Sequence, residues 1–251
     1  MLRMIRRSKL QLLIVLSTFL WTGQFAQAEM LTAEVAHSAT IPAAPAPLRA
    51  GASFNEKALP QKGTIGSWYL IPPWMPGTWH RDVETTTYPP EDIKTITAPI
   101  DESWGYQLDK VGHCWNYHCE PFLSQQAGGN YVDYQTVMQK EVLQMDPTIG
   151  FVMRYVAMTQ RVSKPDNIVR DTFQQEEIQK ITLVEPGLIR RDSSVQFFDE
   201  MGRPKAAAKA YTFMKLVQPF QRIDMQNGID LRQDFKNYLN AHGMQALIPE
   251  S

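Results

Sequence analysis

The chain has 251 residues, with 25 Lys and Arg against 26 Asp and Glu, a formal net charge of −1 at pH 7 and two cysteines. Removing residues 1–28 takes away Arg3, Arg6, Arg7 and Lys9 and no acidic residue, which leaves 21 basic against 26 acidic. That balance excludes a dedicated nucleic-acid binder, which carries a basic patch or an overall basic charge. Two cysteines are too few for a disulfide scaffold.

The first segment is a targeting signal. Its four basic residues precede an apolar run, Leu10 to Trp21, and then the triplet Ala26-Gln27-Ala28 before Glu29. A charged region, a short apolar region and an A-x-A site in that order predict a cleavable secretory signal peptide over residues 1–28. The run is short of the roughly 20 residues of a membrane-spanning helix, and no later segment is long and apolar enough to provide one. The expected location is therefore the periplasm or the extracellular space. Residues 29–62, rich in Ala, Pro, Ser and Gly, are expected to form a flexible linker, because they offer little apolar surface to offset the entropy of ordering.

From residue 63 the pattern becomes that of strands. Ser67–Ile71 is a short apolar run ended by Pro72-Pro73, and Pro72–Gly77 is a turn. Residues 79–88, rich in Thr, Val and aromatics, suit a pleated strand. Residues 103–118 read as one or two strands. Glu120-Pro121 is expected to open a short helix through Gln126, closed by Gly128-Gly129. Over 131–143, Val132, Tyr134, Thr136, Met138 and Val142 fall on one face and Asp133, Gln135, Gln139 and Glu141 on the other, a period of two with one buried side. Residues 149–162 are apolar on both faces except at Arg154, as in a central strand. Strands are also expected over 168–184, 188–198 and 206–217, the last from its hairpin context. At the C-terminus Asp230 is placed to cap a helix over 230–242, with Leu231, Phe235, Tyr238 and Leu239 on one stripe and Gly243 at its end. Eight to ten strands joined by short turns pair antiparallel, and residues 63–251 are expected to close into a barrel that hides its edges.

Two Gly-x-Trp triplets, Gly66-Ser67-Trp68 and Gly77-Thr78-Trp79, sit beside these strands, and the second opens an alternating one. With the terminal helix, they make the chain resemble the lipocalin-like (calycin) β-barrels. The resemblance implies an antiparallel barrel with a Trp plugging one end and an internal cavity for a small, mostly apolar ligand. The late-strand Arg of that family has no clear counterpart here, and its Thr-Asp-Tyr triplet is absent.

Three groups of residues invite chemistry. The stretch His113–Cys119 contains both cysteines. Three states compete for them: a Cys114–Cys119 disulfide, which needs a turn between the two; a His/Cys zinc site, which adjacent ligands on a strand cannot easily form; and two reduced, buried thiols. Export to an oxidising compartment favours the disulfide. His80, Asp82 and Glu84 alternate and so are expected to share one strand face, as a solvated face or as an acid–base or cation-binding trio. Aromatic residues crowd the first half of the globular region and offer stacking surfaces. Trp68, Trp79, Arg81, Trp104, Tyr106 and Trp115 are the expected ligand contacts. No metal or cofactor motif is present, and Gly-x-Ser-x-Gly, a phosphate-cradling glycine loop and His-Glu-x-x-His are missing.

The first functional expectation is an exported β-barrel that binds a small apolar or aromatic ligand. The second is a structural or interaction protein of the cell envelope, with a filled barrel and envelope-protein partners. A hydrolase or isomerase built on His80, Asp82 or Glu84 is the third. N-terminal sequencing of the exported protein is expected to begin at Glu29; a chain that still begins at Met1 contradicts the assigned leader.

Overall fold

The computed structural model describes residues 36–61, 66–88, 92–148 and 150–250. The predicted leader lies outside these residues, as do the first residues of the predicted linker. The strands are β1 (Gly66–Leu70), β2 (Gly77–Tyr88), β3 (Asp92–Trp104), β4 (Gln107–Leu108), β5 (Cys114–Cys119), β6 (Phe122–Gly128), β7 (Tyr131–Asp146), β8 (Gly150–Ser163), β9 (Val169–Glu185), β10 (Leu188–Phe198), β11 (Pro204–Pro219), β12 (Met225–Gln226) and β13 (Ile229–Asp230), followed by helix α1 (Leu231–Ala241). The protein is mainly antiparallel β with a C-terminal helix.

Eight of these strands form one antiparallel sheet in the order β3-β2-β11-β10-β9-β8-β7-β6. Long strands carry the usual right-handed twist, and this sheet curls into a half-barrel. Strands β3 and β6 are its two edges, and among the described residues no pairing joins them. The sheet is therefore open where a closed barrel was expected.

A second sheet, ordered β1-β5-β4, lies between the half-barrel and α1. Alternation along its strands divides the side chains between the two layers. Ile71 and Cys114 join Trp79, Trp104, Phe151, Met153, Ile181, Ile189 and Met214 in a cluster at one end of the concave face. Trp68, Trp115 and Tyr117 point the other way and pack on Leu231, Phe235 and Leu239 of α1. Those three helix residues have no exposed surface, and they recur every four residues, as one face of a helix must. Asp230 caps the helix by accepting from Gln233 N at 2.9 Å, as expected. The glycines of both Gly-x-Trp triplets are required by close approach. A Cβ on Gly77, which sits at φ +139°, would lie 2.5 Å from Leu216 Cδ1; one on Gly66 would overlap the Tyr117 ring.

Four local expectations are corrected. The cysteines are not joined to each other: β5 is a continuous strand held in register by β1, from Gly66↔Cys119 to Leu70↔Trp115. Five extended steps hold the two roughly 17 Å apart, far beyond the reach of a disulfide. They also sit in different layers, Cys114 in the half-barrel cluster and Cys119 beside α1. Burial pushes the Cys114 thiol up to about 12, so it packs as a small hydrophobe. Residues 122–126 are strand, because a hairpin with β7, Phe122↔Val137 to Gly128↔Tyr131, outweighs local propensity. The third correction concerns β7 itself, where register shifts at Val137/Gln139 and Val142/Gln144 break the predicted alternation.

The fourth concerns the linker, of which residues 37–61 form a strap on the convex face. Alternate residues of β9 pin it: Thr172 Oγ1 donates to Leu48 O at 2.5 Å, Gln174 Nε2 donates to Pro42 O at 2.8 Å, and Glu176 accepts from Ser38 N at 2.7 Å. Burial alone would raise the Glu176 carboxyl, but hydrogen bonds from Ser38 and His37 hold it below the ordinary value. Ala44, Leu48, Phe54 and Leu59 are buried against Met158, Val162 and Val169, and the Phe54 ring lies 4.4 Å from that of Tyr134. Few large apolar residues suffice here because strand carbonyls and polar side chains supply the rest of the attachment. Leu48→Ala is expected to lower the unfolding free energy by about 2–5 kcal/mol in urea titration. A tether without packing would give no change.

Candidate functional site

The half-barrel's concave face is apolar at one end and charged beyond it. Past the cluster around Trp79 the wall carries Arg81 and Glu84 from β2, Glu102 from β3, Lys140 from β7, Tyr155 from β8, Glu177 and Gln179 from β9 and Arg191 from β10. They surround a cavity of about 570 Å³, completed on its apolar side by Trp104, Phe122, Val137 and Met153 and roofed by Tyr106, Asn116 and Tyr117 of the small-sheet layer. That volume falls in the range of small-molecule sites, roughly 300–1,000 Å³. A smaller recess of about 210 Å³, reaching His118, Cys119 and Glu120, shares Tyr106, Tyr117, Phe122, Val137 and Lys140 with it.

A β-bulge brings Arg81 and Glu84 together. The pairing of β2 with β3 shifts register between Arg81 and Val83, and a bulge changes which face the following residues meet. Arg81 and Glu84, three positions apart, consequently form an ion pair inside the cavity. The predicted trio is split by the same shift. His80 and Asp82 are on the outer surface, where His80 Nδ1 lies 2.6 Å from Asp101 Oδ1 and Nε2 lies 3.0 Å from Asp82 Oδ1. Those two hydrogen bonds, Asp101 first, raise the imidazole above its ordinary value. Glu84 faces inward, so the acid–base trio is not assembled.

The buried charges are paired, as a shielded wall requires. Arg191 Nη1 lies 2.8 and 2.9 Å from the two carboxylate oxygens of Glu102, and Arg191 Nη2 is 3.6 Å from Glu84. Glu177 accepts from Tyr155 OH and, at 2.8 Å, from Gln179 Nε2. Burial raises the Tyr155 hydroxyl well above its ordinary value and Glu177 adds to the effect, so this phenol is a donor and not a base. Lys140 differs from the other charges. It forms no ion pair among the described residues, and burial pushes its ammonium below the ordinary lysine value against the pull of Glu120 and Glu102. Among the described residues no group of three or more His, Cys, Asp or Glu is placed to hold a metal ion, and no helix is long and apolar enough to cross a membrane.

Of the six expected ligand contacts, Arg81, Trp104 and Tyr106 line the cavity. The other three are structural. Trp79 is buried in the core and donates to Met75 O at 2.8 Å. Trp68 donates to Asp234 Oδ2 of α1 at 2.8 Å, and Trp115 to Asp109 Oδ2 at 3.1 Å. Sequence reasoning missed Glu102, Lys140, Tyr155, Glu177, Gln179 and Arg191. The single hint was an excess of charged residues in strands long enough to be buried.

Comparison with known proteins gives no matching family model, no matching curated protein and no matching solved structure. Arg191→Met strips Glu102 and Glu84 of a buried partner and is expected to cost about 3–5 kcal/mol of stability in urea titration. Arg191→Met combined with Glu102→Leu is expected to recover much of that loss.

Proposed function

We propose that the chain is an exported binding protein that holds a small organic molecule in the concave cavity of its half-barrel. The observation that carries this is the cavity itself. It has the volume of a small-molecule site, an apolar wall at Trp104, Phe122, Val137 and Met153, and convergent polar groups from β2, β3, β7, β8, β9 and β10. Convergent polar groups beside an apolar wall are features of a ligand pocket, although this lining is more polar than most. It supports the binding function over a filled barrel that acts only as an envelope scaffold. A lipocalin-like use of the fold, with the ligand on the inner side of a curled antiparallel sheet, agrees with this arrangement. The chemistry of the wall changes the ligand, however: a purely apolar molecule would strand the charged groups without water, so the ligand is amphipathic.

Native mass spectrometry of the protein recovered from its own host is expected to show a small-molecule adduct that is released on unfolding. Val137→Trp puts an indole into the cavity and is expected to abolish the adduct. An adduct retained in full by that variant would place the ligand elsewhere and end this proposal.

A further inference from the structure

The charges around the cavity are equal in number, Arg81, Lys140 and Arg191 against Glu84, Glu102 and Glu177, but they are not all paired. Each carboxylate on the wall already receives protein donors: Glu102 and Glu84 from Arg191 and Arg81, Glu177 from Tyr155 and Gln179. The donors, in contrast, are not all used. Among the described residues Arg81 Nε and Trp104 Nε1 are buried without a hydrogen-bond partner, and both belong to residues that line the cavity. Lys140 adds an ammonium without an ion pair among the described residues, on the wall that the two recesses share. Glu120 Oε1 is the exception on the acceptor side. It lies in the smaller recess, 3.0 Å from His118 Nδ1 in a geometry too bent for a hydrogen bond.

An unpaired buried donor is costly, and a charged one more so. Arg81 Nε and Trp104 Nε1 are closed off from the cavity itself, so the cationic group left for a ligand is the Lys140 ammonium. The position of Lys140 fixes where its charge must lie. In β7, β8 and β9 the cross-strand partners run Lys140↔Tyr155 and Tyr155↔Glu177. Tyr155 donates its hydroxyl hydrogen bond to Glu177, so the Lys140 ammonium stands at the end of this row without a direct ion pair among the described residues, beside Phe122 and Val137. A head group on Lys140 would leave the ligand's body against Trp104, Phe122 and Met153.

We propose, on the basis of the cavity binding assigned above, that the ligand is an organic anion: an aromatic or aliphatic body bearing a carboxylate- or sulfonate-like head that pairs with Lys140. Charge-assisted hydrogen bonds are about twice as strong as neutral ones, and this one forms in a shielded site. The preference for the anion should fall as pH rises and Lys140 loses its proton, and the fall should begin below the ordinary lysine value.

The test compares two dyes with the same rings, 8-anilinonaphthalene-1-sulfonate and the uncharged N-phenyl-1-naphthylamine, by fluorescence titration of the folded full chain at pH 7. The wild type is expected to bind the sulfonate roughly tenfold or more tightly than the uncharged dye. Lys140→Met is expected to bring the two affinities together, and Lys140→Arg to keep them apart, with circular dichroism verifying that both variants fold. Equal affinities in the wild type, or a preference that survives in Lys140→Met, would overturn the anion assignment and leave the binding function standing. Failure of both dyes to bind would overturn the binding function itself.

Discussion

The contact between Arg191 and Glu102 depends on the curvature of the sheet and in turn holds it. Arg191 is on β10 and Glu102 on β3, with β11 and β2 between them. On a flat sheet three strand spacings separate these residues by roughly 14 Å, yet Arg191 Nη1 lies 2.8 Å from Glu102 Oε1. On a flat sheet the two side chains could span that gap only by lying fully extended along its surface, whereas a sheet curled toward its concave side lets them meet while standing off it. The guanidinium side chain is 7% exposed, so its charge has little access to water and must be met by protein. Uncurling the sheet would separate a buried cation from its counter-ions. The ion pair is therefore less a net source of stability than a constraint that selects the curved form over flatter ones.

Curvature determines what the other layers have to do. An open half-barrel exposes its concave floor unless something fills it, and β1, β5 and β4 do so. Tyr69, with a hydroxyl that accepts from Asn116 Nδ2 at 2.7 Å, lays its ring beside Phe151 of the sheet at 6.1 Å. That roof would itself expose Trp68, Trp115 and Tyr117, and α1 covers them, with Phe235 4.7 Å from the Trp68 ring. On the convex side the strap makes β9 buried on both faces. Its even residues Thr172, Gln174 and Glu176 hold the strap while its odd residues Glu177 and Gln179 line the cavity. This double duty explains why a central strand carries so many polar side chains: each is answered by a specific partner and not by water.

Sequence periodicity was informative wherever a strand ran without interruption. The bounds of β10 coincide with the expected 188–198, and those of β2, β8 and β11 differ by only a few residues. The Asp230 cap and the Leu231–Phe235–Leu239 stripe were legible because helix capping and helical spacing are local properties. The site was not legible, because it is built at bulges. A single inserted residue reverses the inward and outward sense of everything after it. At β2 this turned a predicted His80–Asp82–Glu84 face into an outer histidine and an inner glutamate. At β7 the shift after Val137 places Val137 and Lys140 on one wall, although strict alternation puts them on opposite faces. The cysteines differ from expectation for another reason: compartment and spacing favour a bond, but the pairing of β5 with β1, which is non-local, keeps the segment extended. The strap is not legible in composition, because side chains of β9 hold it largely by its backbone and composition records side chains only.

The unpaired groups around the cavity bear on why this wall is polar at all. A half-barrel with an apolar inner face would fold with fewer conditions, since well-packed hydrophobic residues commonly replace buried ion pairs at no loss of stability. Here the inner wall holds paired carboxylates together with donors that lack partners, Arg81 Nε and Trp104 Nε1 among them. Each unpaired donor sets the fold back by about 1–3 kcal/mol, against a total stability of only about 5–15 kcal/mol. Folding alone gives no reason to keep them. The proposed binding function gives a polar wall a use, and a ligand paired with Lys140 would also stabilise the native state in proportion to its occupancy. The paired charges constrain the wall to its curved form, and under the proposed binding function the Lys140 ammonium supplies its preference for an anion. The two roles fall to different residues, with the Arg191–Glu102 pair setting the shape and Lys140 left to meet the ligand.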